Sequence, residues 1–445
     1  MSFTSEALNL ALQALCKDAE PPQRYVVAFS GGLDSTVLLH ALAASAAQHK
    51  AAILAVHIDH DLQSGSDQWA EQCKRTAADF NVEFRQERVT VDVHGGKGQE
   101  AAARDARYAA FERLMLPGDW LLSAHHQDDQ AETLLLNLFR GSGLAGLAGI
   151  ASVRRFAPGW LARPLLPYSQ DSLRSYADLH ELAWIDDPSN DDRVFDRNFL
   201  RHEVMPIIES RWPGAAQRLY RSSRIASEAA GLLDELGAID LARLGGRCDR
   251  LQLDALKSLT AERQRNVLRF AVRKLGLALP SAAQLQRVLD EVVLARVDAE
   301  PILSWGDVEI RRFRNGLYIQ RSMVGSSTPA AISLGENDYQ ELGAGLGALR
   351  LERDAAQGLD RRVLERGLEL RFRQGGEKIR PLDQPHTKTL KNLLQEESIV
   401  PWMRDRIPLL YAGDELVAVA DIWLAQGAVS SPGVAVHWEN RPPIH

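Results

Sequence analysis

The chain has 445 residues, of which 45% are hydrophobic and 25% charged, and its formal net charge is −7. This length predicts two to four domains, and no apolar run approaches the roughly 20 residues that a membrane-spanning helix needs. Only three cysteines occur, far apart and without a Cys-x-x-Cys pair, which argues against a disulfide framework or a thiolate metal cluster. The N-terminal segment lacks a basic region followed by an apolar one, so we expect no signal peptide and a cytoplasmic protein.

The first strong pattern is an apolar run at residues 25–29 that leads into Ser30-Gly31-Gly32-Leu33-Asp34-Ser35 and then into a helical pattern. This order predicts a strand, a tight turn and a helix. Adjacent glycines let the backbone approach a ligand, and the free N–H groups at a helix start favour phosphate oxygens. The neighbouring hydroxyls and the Asp34 carboxylate favour a phosphate site over a plain turn. It is not a Walker loop, because Gly-x-x-x-x-Gly-Lys-Ser/Thr occurs nowhere in the chain.

Strands and helices continue to alternate after this turn. The patterns predict strands at 51–60, 82–91 and 119–124 and helices at 68–80 and 99–116. Such alternation predicts a doubly wound α/β domain with a parallel sheet. Ligands of these sheets bind beyond the carboxyl ends of the strands, so residues 30–35, 57–60 and 124–129 should converge on one cleft.

The densest group of polar residues follows the strand at 119–124. We predict a helix that begins there and carries His125, Asp128, Asp129 and Glu132 on one face, at i, i+3, i+4 and i+7. Three carboxylates so close repel one another unless a cation lies among them, so we expect a metal ion, an ammonium group or both. A solvated helix start is one alternative. Zinc is another, although His125 and His126 are adjacent and cannot face the same way on a helix.

Arg104 and Arg107 lie three residues apart on the predicted helix at 99–116 and therefore share a face. They would neutralise phosphate charge, or else form salt bridges with Glu100 or Glu112. The glycine-rich stretch at 141–149 predicts either a mobile loop over a ligand or a plain linker.

Basic residues concentrate in two later stretches. Residues 193–224 contain seven arginines against three acidic residues, and residues 371–391 contain six basic residues against two acidic ones. Local basic faces on an acidic protein suit a polyanion such as nucleic acid, although solvated helix faces have the same composition.

Beyond residue 224 the chain changes in character. Residues 251–294 are largely helical in pattern, and strands follow within 299–319. Residues 325–329 predict a linker. The last part mixes strands at 369–372 and 416–420 with a helix at 388–397. We therefore expect a helical middle domain and a small α+β C-terminal domain.

The ordered set of motifs resembles the tRNA(Ile)-lysidine synthase family of the ATP pyrophosphatase superfamily. The set comprises Ser-Gly-Gly-Leu-Asp-Ser (30–35), Asp59-His60, Ala-Arg-x-x-Arg-Tyr (103–108), His-His-x-Asp-Asp-Gln-x-Glu-Thr (125–133), Arg-Gly-Ser-Gly (140–143), Arg-Pro-Leu-Leu (163–166) and Asp-Pro-Ser-Asn-x-Asp (187–192) followed by Arg-Asn-x-x-Arg (197–201). Segments at 376–382, 389–391 and 402–409 resemble the C-terminal domain of longer members, so the resemblance covers nearly the whole chain. One departure is Gln63, where the family usually has arginine in Asp-His-x-Leu-Arg.

The resemblance implies an ATP pyrophosphatase domain at 1–215, a mainly helical substrate- or tRNA-binding domain at 216–325 and an α+β tRNA-binding domain at 326–445. It implies a ligase that uses ATP and Mg²⁺ to join free L-lysine to C2 of the wobble cytidine of a tRNA(Ile) with a CAU anticodon. An adenylated cytidine forms first, pyrophosphate and AMP are released, and lysidine changes codon specificity from AUG to AUA. No membrane partner is implied, and a homodimer is left open.

Roles for individual residues follow from the resemblance and from side-chain chemistry. The ATP phosphates would lie over Ser30, Gly31, Gly32, Leu33, Asp34 and Ser35, with Asp34 helping to hold Mg²⁺. Glu132, with Asp128 or Asp129, would receive the lysine ammonium. Arg104 and Arg107 would stabilise developing negative charge or bind the lysine carboxylate, and His125 completes the predicted catalytic set.

Other functions share this kind of loop. A tRNA thiolase commonly carries paired cysteines, and an amidotransferase needs an ammonia-releasing domain, usually with a nucleophilic cysteine; the sequence shows neither. A non-catalytic RNA-binding protein is a third alternative, which the intact loop and the three nearby carboxylates disfavour.

Overall fold

The computed structural model describes residues 2–48, 51–59, 66–90, 99–186, 193, 195–296, 299–322, 332–334, 339–343 and 345–445. The chain divides into two units, Met1–Leu232 and Leu233–His445. Within the described ranges, no helix is both long and apolar enough to cross a membrane.

A six-stranded sheet organises the first unit. Its strands are β1 (Arg24–Ala28), β2 (Ala52–Asp59), β3 (Glu83–Arg88), β4 (Asp119–Leu122), β5 (Val153–Phe156) and β6 (Gly159–Ala162). Their order is β3-β2-β1-β4-β6-β5, and all neighbours are parallel except the edge hairpin β5–β6. The predicted strands and the doubly wound parallel sheet are therefore confirmed.

Alternate residues of β1 explain why helices cover both faces of the sheet. Tyr25 and Val27 are buried in one hydrophobic core, whereas Val26 is buried in the core on the opposite face. The helices of this unit are α1 (Ser5–Leu15), α2 (Leu33–Ala44), α3 (Ser66–Asp79), α4 (Gln99–Leu114), α5 (Gln127–Phe139), α6 (Leu144–Leu147), α7 (Gln170–Leu179), α8 (Asp196–Phe199), α9 (Met205–Arg211) and α10 (Ala215–Arg243), the last of which continues into the second unit. A π-helical turn at Leu200–Val204 joins α8 to α9.

The site of interest is positioned by the order of the strands. From β1, the sheet continues to β2 on one side and to β4 on the other. The connections that leave the carboxyl ends of β1 and β4 therefore diverge, and a crevice opens between them. The turn at 30–35 and the segment at 123–129 border this crevice.

The second unit begins with a four-stranded antiparallel sheet in the order β7-β10-β9-β8. Its strands are β7 (Arg250–Gln252), β8 (Ile302–Trp305), β9 (Val308–Phe313) and β10 (Gly316–Arg321), and its helices are α11 (Leu253–Lys257), α12 (Ala261–Lys274) and α13 (Ala282–Arg287), the last extended by a π-helical turn at Val288–Val293. The helices pack on the sheet around one apolar core. The helical pattern predicted for 251–294 is present in α11–α13.

The rest of the second unit is built around two five-stranded sheets, β11-β15-β18-β19-β20 and β12-β13-β22-β14-β21, and a two-stranded one, β16-β17. The strands are β11 (Ile332–Leu334), β12 (Tyr339–Glu341), β13 (Ala348–Ala355), β14 (Gly358–Leu359), β15 (Leu368–Arg371), β16 (Lys378–Ile379), β17 (Lys388–Thr389), β18 (Leu409–Ala412), β19 (Glu415–Val419), β20 (Trp423–Leu424), β21 (Val429–Ser430) and β22 (Gly433–Glu439), with helices α14 (Arg361–Glu365) and α15 (Leu390–Glu396). A second apolar core lies here. The α+β class of this part is confirmed, whereas the linker predicted at 325–329 lies outside the described residues.

Candidate active site

The backbone of the turn after β1 requires glycine at position 31. Gly31 has φ +83°, and a Cβ placed on it would lie 2.6 Å from the Sγ of Cys73. Two hydrogen bonds fix the turn from outside: the Trp69 indole N–H donates to the Ser30 carbonyl and the Ile185 N–H to the Gly31 carbonyl, both at 2.9 Å. The turn is therefore a rigid element that tolerates neither a side chain nor a different backbone conformation at Gly31.

Helix α2 begins at this turn. Its N-cap is Gly32, and no side chain in the described part of the chain forms a capping hydrogen bond there. The hydroxyl of Ser35 instead donates to the Gly32 carbonyl at 3.0 Å and lies 3.1 Å from the Ser30 hydroxyl. N–H groups at the positive end of a helix, with hydroxyls beside them, form a site for phosphate oxygens.

The helix after β4 begins two residues later than predicted. The predicted helix included His125, but α5 begins at Gln127, and His126 is its N-cap. The reason is local: His126 has an extended backbone at the N-cap, and the Asp129 carboxylate accepts the His126 backbone N–H at 2.9 Å. His125 therefore lies outside the helix, with its Nδ1 2.6 Å from the Ser123 hydroxyl. Burial, reinforced by nearby arginines, lowers the pKa of His125 to about 3, so the ring is neutral.

His126, which the sequence analysis did not include in the site, lies at its centre. Its ring nitrogens face three carboxylates, Asp128 at 3.3 Å, Asp129 at 3.5 Å and Asp34 at 3.6 Å. Burial acts to lower the pKa of His126, but these carboxylates outweigh it and raise the pKa to about 9. When the ring is protonated, its Nδ1–H donates to the Asp128 carboxylate. Only the neutral ring could accept the Asp128 backbone N–H, whose nitrogen lies 3.3 Å from Nδ1. His126 thus joins the turn after β1 to the start of α5.

The cation that we predicted among the carboxylates of α5 is provided by the protein itself. Asp129 and Glu132 are bound by Arg197 and Arg201, whose nitrogens approach the carboxylate oxygens at 2.7–3.1 Å. Every oxygen of the pair has a partner, because Oδ2 of Asp129 accepts the His126 N–H at 2.9 Å. Two arginines of the chain thus balance the charge of these carboxylates in this structure, and binding of an external metal or ammonium ion stays a prediction.

The Arg197 and Arg201 interactions also correct the assignment of the arginine-rich stretch. These two of its arginines bind carboxylates inside the site rather than forming an outer basic face. Their spacing of four residues, in Arg-Asn-x-x-Arg, places them on the same side of a helix and was the signal available in the sequence. The π-helical turn at Leu200–Val204 contains the second of them.

Asp34 differs from the other carboxylates of the site. Its Oδ1 is buried and has no hydrogen-bond partner among the described residues. Burial, together with the negative charge of Asp129, raises the pKa of Asp34 despite the opposing effect of His126. A buried carboxylate oxygen without a partner, next to a phosphate-binding turn, fits a ligand of Mg²⁺. No group of three or more His, Cys, Asp or Glu side chains in the described ranges would hold a metal alone, so phosphate oxygens and water would have to complete the coordination.

Arg104 and Arg107 lie on α4, where both are exposed and both approach the ring of Tyr108, at 5.6 and 6.0 Å from its centroid. Arg104 also lines a cleft beside α5. Arg107 contributes to the lowered pKa of His125, which places its charge near the site. The two arginines thus share the face predicted for them.

Two further parts of the predicted site can be placed. Arg163, just beyond β6, is buried and donates to the Ala151 carbonyl at 2.6 Å, and its Nε has no partner among the described residues. Asp59, at the end of β2, is instead engaged by the neighbouring strand, with Gln86 at 3.2 Å and Arg88 at 3.5 Å. His60, the departure at Gln63 and the Asp-Pro-Ser-Asn motif from Asp187 onward lie outside the described residues.

Comparison with known proteins matches this arrangement to one family. Residues 4–208 match the model of a PP-loop domain, residues 251–318 a TilS substrate binding domain and residues 368–438 a TilS substrate C-terminal domain. The tRNA(Ile)-lysidine synthase of Coxiella burnetii is 38% identical over 99% of this chain and 97% of its own length. Those of Alkalilimnicola ehrlichii and Xanthomonas campestris are each 41% identical, over 95% and 91% of both chains. The chain therefore belongs to the tRNA(Ile)-lysidine synthase family.

Proposed function

We propose that the chain modifies tRNA(Ile) at the crevice between β1 and β4, by the route of adenylation and lysine transfer that the sequence motifs imply. As a member of its family it is a ligase that uses ATP and acts on tRNA(Ile). The product is lysidine at the wobble cytidine of a CAU anticodon, with AMP and pyrophosphate released. The observation that carries the site assignment is the uncapped start of α2 facing the His126 and Asp128–Asp129 cluster across the crevice.

The ATP phosphates bind, in this proposal, over the turn at Ser30–Ser35. The N–H groups at the start of α2 and the hydroxyls of Ser30 and Ser35 would contact the oxygens of the leaving pyrophosphate. A turn without a Walker lysine suits this task, because the bond that breaks lies between the α- and β-phosphates. The rigid backbone at Gly31 keeps these donors in place before ATP arrives, so little reorganisation is needed during the reaction.

Mg²⁺ fits the Asp34 carboxylate, whose buried Oδ1 has no partner among the described residues. When bound, the ion would neutralise phosphate charge and favour departure of pyrophosphate. His126 contributes from the protein side: in its protonated form it shields Asp34 from the charges of Asp128 and Asp129. His126 thus opposes the burial and the neighbouring carboxylates that raise the pKa of Asp34.

The first chemical step joins O2 of the cytosine to the α-phosphate of ATP. Negative charge grows on the phosphate oxygens in this step, and Arg104 and Arg107 are proposed to offset it. Much of the acceleration would come from holding the base and the α-phosphate together, since no covalent enzyme intermediate is required.

The second step replaces AMP at C2 by the ε-amine of lysine. We propose, as the carboxylates of α5 suggest, that Glu132 with Asp128 or Asp129 binds the lysine ammonium. Because Arg197 and Arg201 occupy Asp129 and Glu132, the ammonium must exchange with at least one guanidinium. Asp128 is the most accessible of the three, at 33% side-chain exposure against 11% and 2%, and it would meet the amine first.

The division into domains at 1–215, 216–325 and 326–445 and the cytoplasmic location remain part of the proposal. Two separate apolar cores in the second unit support a middle and a C-terminal domain. Whether the chain forms a homodimer is decided by its molar mass in solution, measured by light scattering from the full-length chain at micromolar concentration.

The test is incubation of the chain with ATP, labelled lysine and tRNA transcripts. Label should enter tRNA(Ile) with a CAU anticodon, and AMP release should require both tRNA and lysine. The matched control is the same transcript with uridine at the wobble position, which should stay unlabelled. Absence of label from the CAU transcript, or AMP release that ignores lysine, contradicts the proposal.

A further inference from the structure

A cleft of about 510 Å³ lies beside the carboxylates of α5, on the side of α8. The cleft is lined by residues of α4, α5 and α8, by Arg140 at the end of α5 and by Phe195 just before α8. The lining residues are Arg104, Thr133, Leu136, Asn137, Arg140, Phe195, Asp196 and Arg197. Its volume is in the range of sites that bind small molecules or single nucleotides.

The cleft is directly connected to the proposed reaction site. Arg197 belongs to its lining and, through its other side, binds Asp129 and Glu132 at 2.8 Å. Thr133 follows Glu132 on α5 and donates to the Asp129 carbonyl at 2.7 Å. A ligand in the cleft therefore lies within a few side chains of Asp34 and the phosphate-binding turn.

The charge of the cleft favours an anion. Three arginines and one aspartate line the cleft. Arg140 pairs with Asp196 at 3.6 Å, and their side chains are 65% and 77% exposed. Such a pair is weak and exchanges readily with a phosphate. Since Arg197 is bound to two carboxylates and Arg104 is assigned to the ATP phosphates in the proposed function, Arg140 is the arginine placed to meet a further anionic ligand.

The cleft also offers an aromatic surface, which an anion alone does not require. Phe195 lines it, and Phe199, one helical turn further along, has 48% of its surface exposed. At the end of α5, next to Arg140, Phe139 is 70% exposed. Aromatic rings beside arginines are the combination that binds unstacked nucleotides, since bases stack on the rings and phosphates pair with the guanidinium groups.

We propose that this cleft binds a single-stranded nucleotide of the anticodon loop, with its phosphate on Arg140 and its base against Phe195. The inference rests on the proposed function, in which the wobble base must leave its stack to meet ATP. The competing ligand for the same positive charge is the carboxylate of free lysine. A carboxylate would use an arginine but would gain nothing from the ring.

The test compares tRNA affinity and lysine affinity in two variants, Arg140→Ala and Phe195→Leu. Filter binding of the CAU transcript, without ATP or lysine, should show Kd raised roughly five- to tenfold by Arg140→Ala. The slope of log Kd against log salt should fall by about one, as expected for one lost phosphate contact. Phe195→Leu should raise Kd between about fivefold and a hundredfold, because leucine fills space but does not stack.

Matched controls separate binding from folding. Phe195→Tyr keeps a stacking ring and should retain wild-type affinity. Arg75→Ala, on α3, removes an exposed arginine that also pairs with a carboxylate, Glu71 at 3.4 Å, and should leave both Kd and salt slope unchanged. The KM for lysine should be the same in all variants.

Two outcomes overturn the inference: unchanged tRNA affinity and salt slope in both variants, or a raised lysine KM with unchanged tRNA affinity, which would make the cleft a carboxylate site. Failure of the proposed function is distinguishable, since it appears in the wild-type chain as absence of lysine from the CAU transcript. The tRNA-binding comparison can be made whichever way that assay turns out.

Discussion

Asp129 and Glu132 show how the site tolerates adjacent buried carboxylates. Glu132 is 2% exposed, yet both of its oxygens accept hydrogen bonds from arginines that also bind Asp129. A buried carboxylate without a partner would be costly, and two forked guanidinium groups remove that cost. Under the proposed function, the substrate amine would enter a site whose charge is already balanced.

Replacing Glu132 by glutamine tests whether this carboxylate receives the lysine amine. The change removes one negative charge but keeps the shape of the side chain. Lysine transfer should fall about tenfold to a hundredfold more than adenylation, the range expected for a charge-assisted hydrogen bond. Transfer is measured by labelled lysine in the tRNA, and adenylation by pyrophosphate release without lysine.

Two further variants serve as controls for that measurement. Asp34→Asn should depress both steps, because Asp34 is assigned to the phosphates and Mg²⁺. Glu112→Gln, at an exposed position on α4, should affect neither. Equal losses of transfer and adenylation in Glu132→Gln would show that Glu132 only maintains the structure of the site.

The raised pKa of His126 predicts that the stability of the fold depends on pH in the absence of metal. Its pKa is raised from the ordinary 6.5 to about 9, so the protonated ring stabilises the fold fully below pH 6.5, and this contribution is lost as pH rises through 9. A shift of this size corresponds to about 3 kcal/mol. The unfolding temperature of the chain in EDTA should therefore fall between pH 6.5 and 9.5.

The matched variant is His126→Asn, because asparagine is a good N-cap and preserves the start of α5. It should be less stable than the wild type at pH 6.5 and show a flatter profile up to pH 9.5. If both proteins have the same slope, His126 is not the group that titrates.

At the scale of elements, the turn between β1 and α2 was predictable because its causes are local. Two glycines after a short apolar strand, followed by a helical pattern, indicate the turn whatever surrounds it. The start of α5 was displaced by two residues for an equally local reason. Histidine is an unusual N-cap, and the start of the helix is marked only by the Asp129 carboxylate, which accepts the His126 backbone N–H.

The two glycines of the turn should respond differently to alanine. Gly31→Ala should lower the unfolding temperature, because an L residue at φ +83° costs about 1–2 kcal/mol before its overlap with Cys73 is counted. Gly32 has φ −74° and its nearest neighbour to a Cβ would be 3.6 Å away, so Gly32→Ala should unfold at the wild-type temperature.

A further variant separates strain from steric overlap at this turn. Adding Cys73→Ala to Gly31→Ala removes the sulfur that the new methyl group would meet. Part of the lost stability should return, and the remainder reflects the left-handed backbone. Equal stability of Gly31→Ala and the wild type would mean that the turn adopts another conformation without penalty.

At the scale of the whole molecule, the first unit was predictable and the second only in outline. Alternating strands and helices specify a parallel sheet, because each strand needs a crossover. The antiparallel sheets of the second unit join strands far apart in sequence, such as β13 with β22 and β7 with β10. No local pattern identifies such partners, and short strands like β14 carry almost no periodicity.

The same distance along the chain limited the prediction of the site. The order of the motifs predicted that residues 30–35 and 125–133 lie close together, since both follow strands of one sheet. It did not bring Arg197 and Arg201 to Asp129 and Glu132, about seventy residues away, because charge alone does not say whether an arginine faces a carboxylate or solvent. Composition of the stretch 193–224 suggested RNA binding, and two of its arginines belong instead to the acidic pair.

The sulfur packed behind the phosphate-binding turn has a chemical consequence. Cys73 is 1% exposed, and burial raises its pKa to about 12, so at neutral pH it offers neither access nor thiolate to an alkylating reagent. Cys16 and Cys248 are only partly buried. Alkylation of Cys73 therefore needs a rare local opening that separates α3 from the turn after β1, so its modification rate measures how often that opening occurs. Under the proposed function, added ATP should slow this modification.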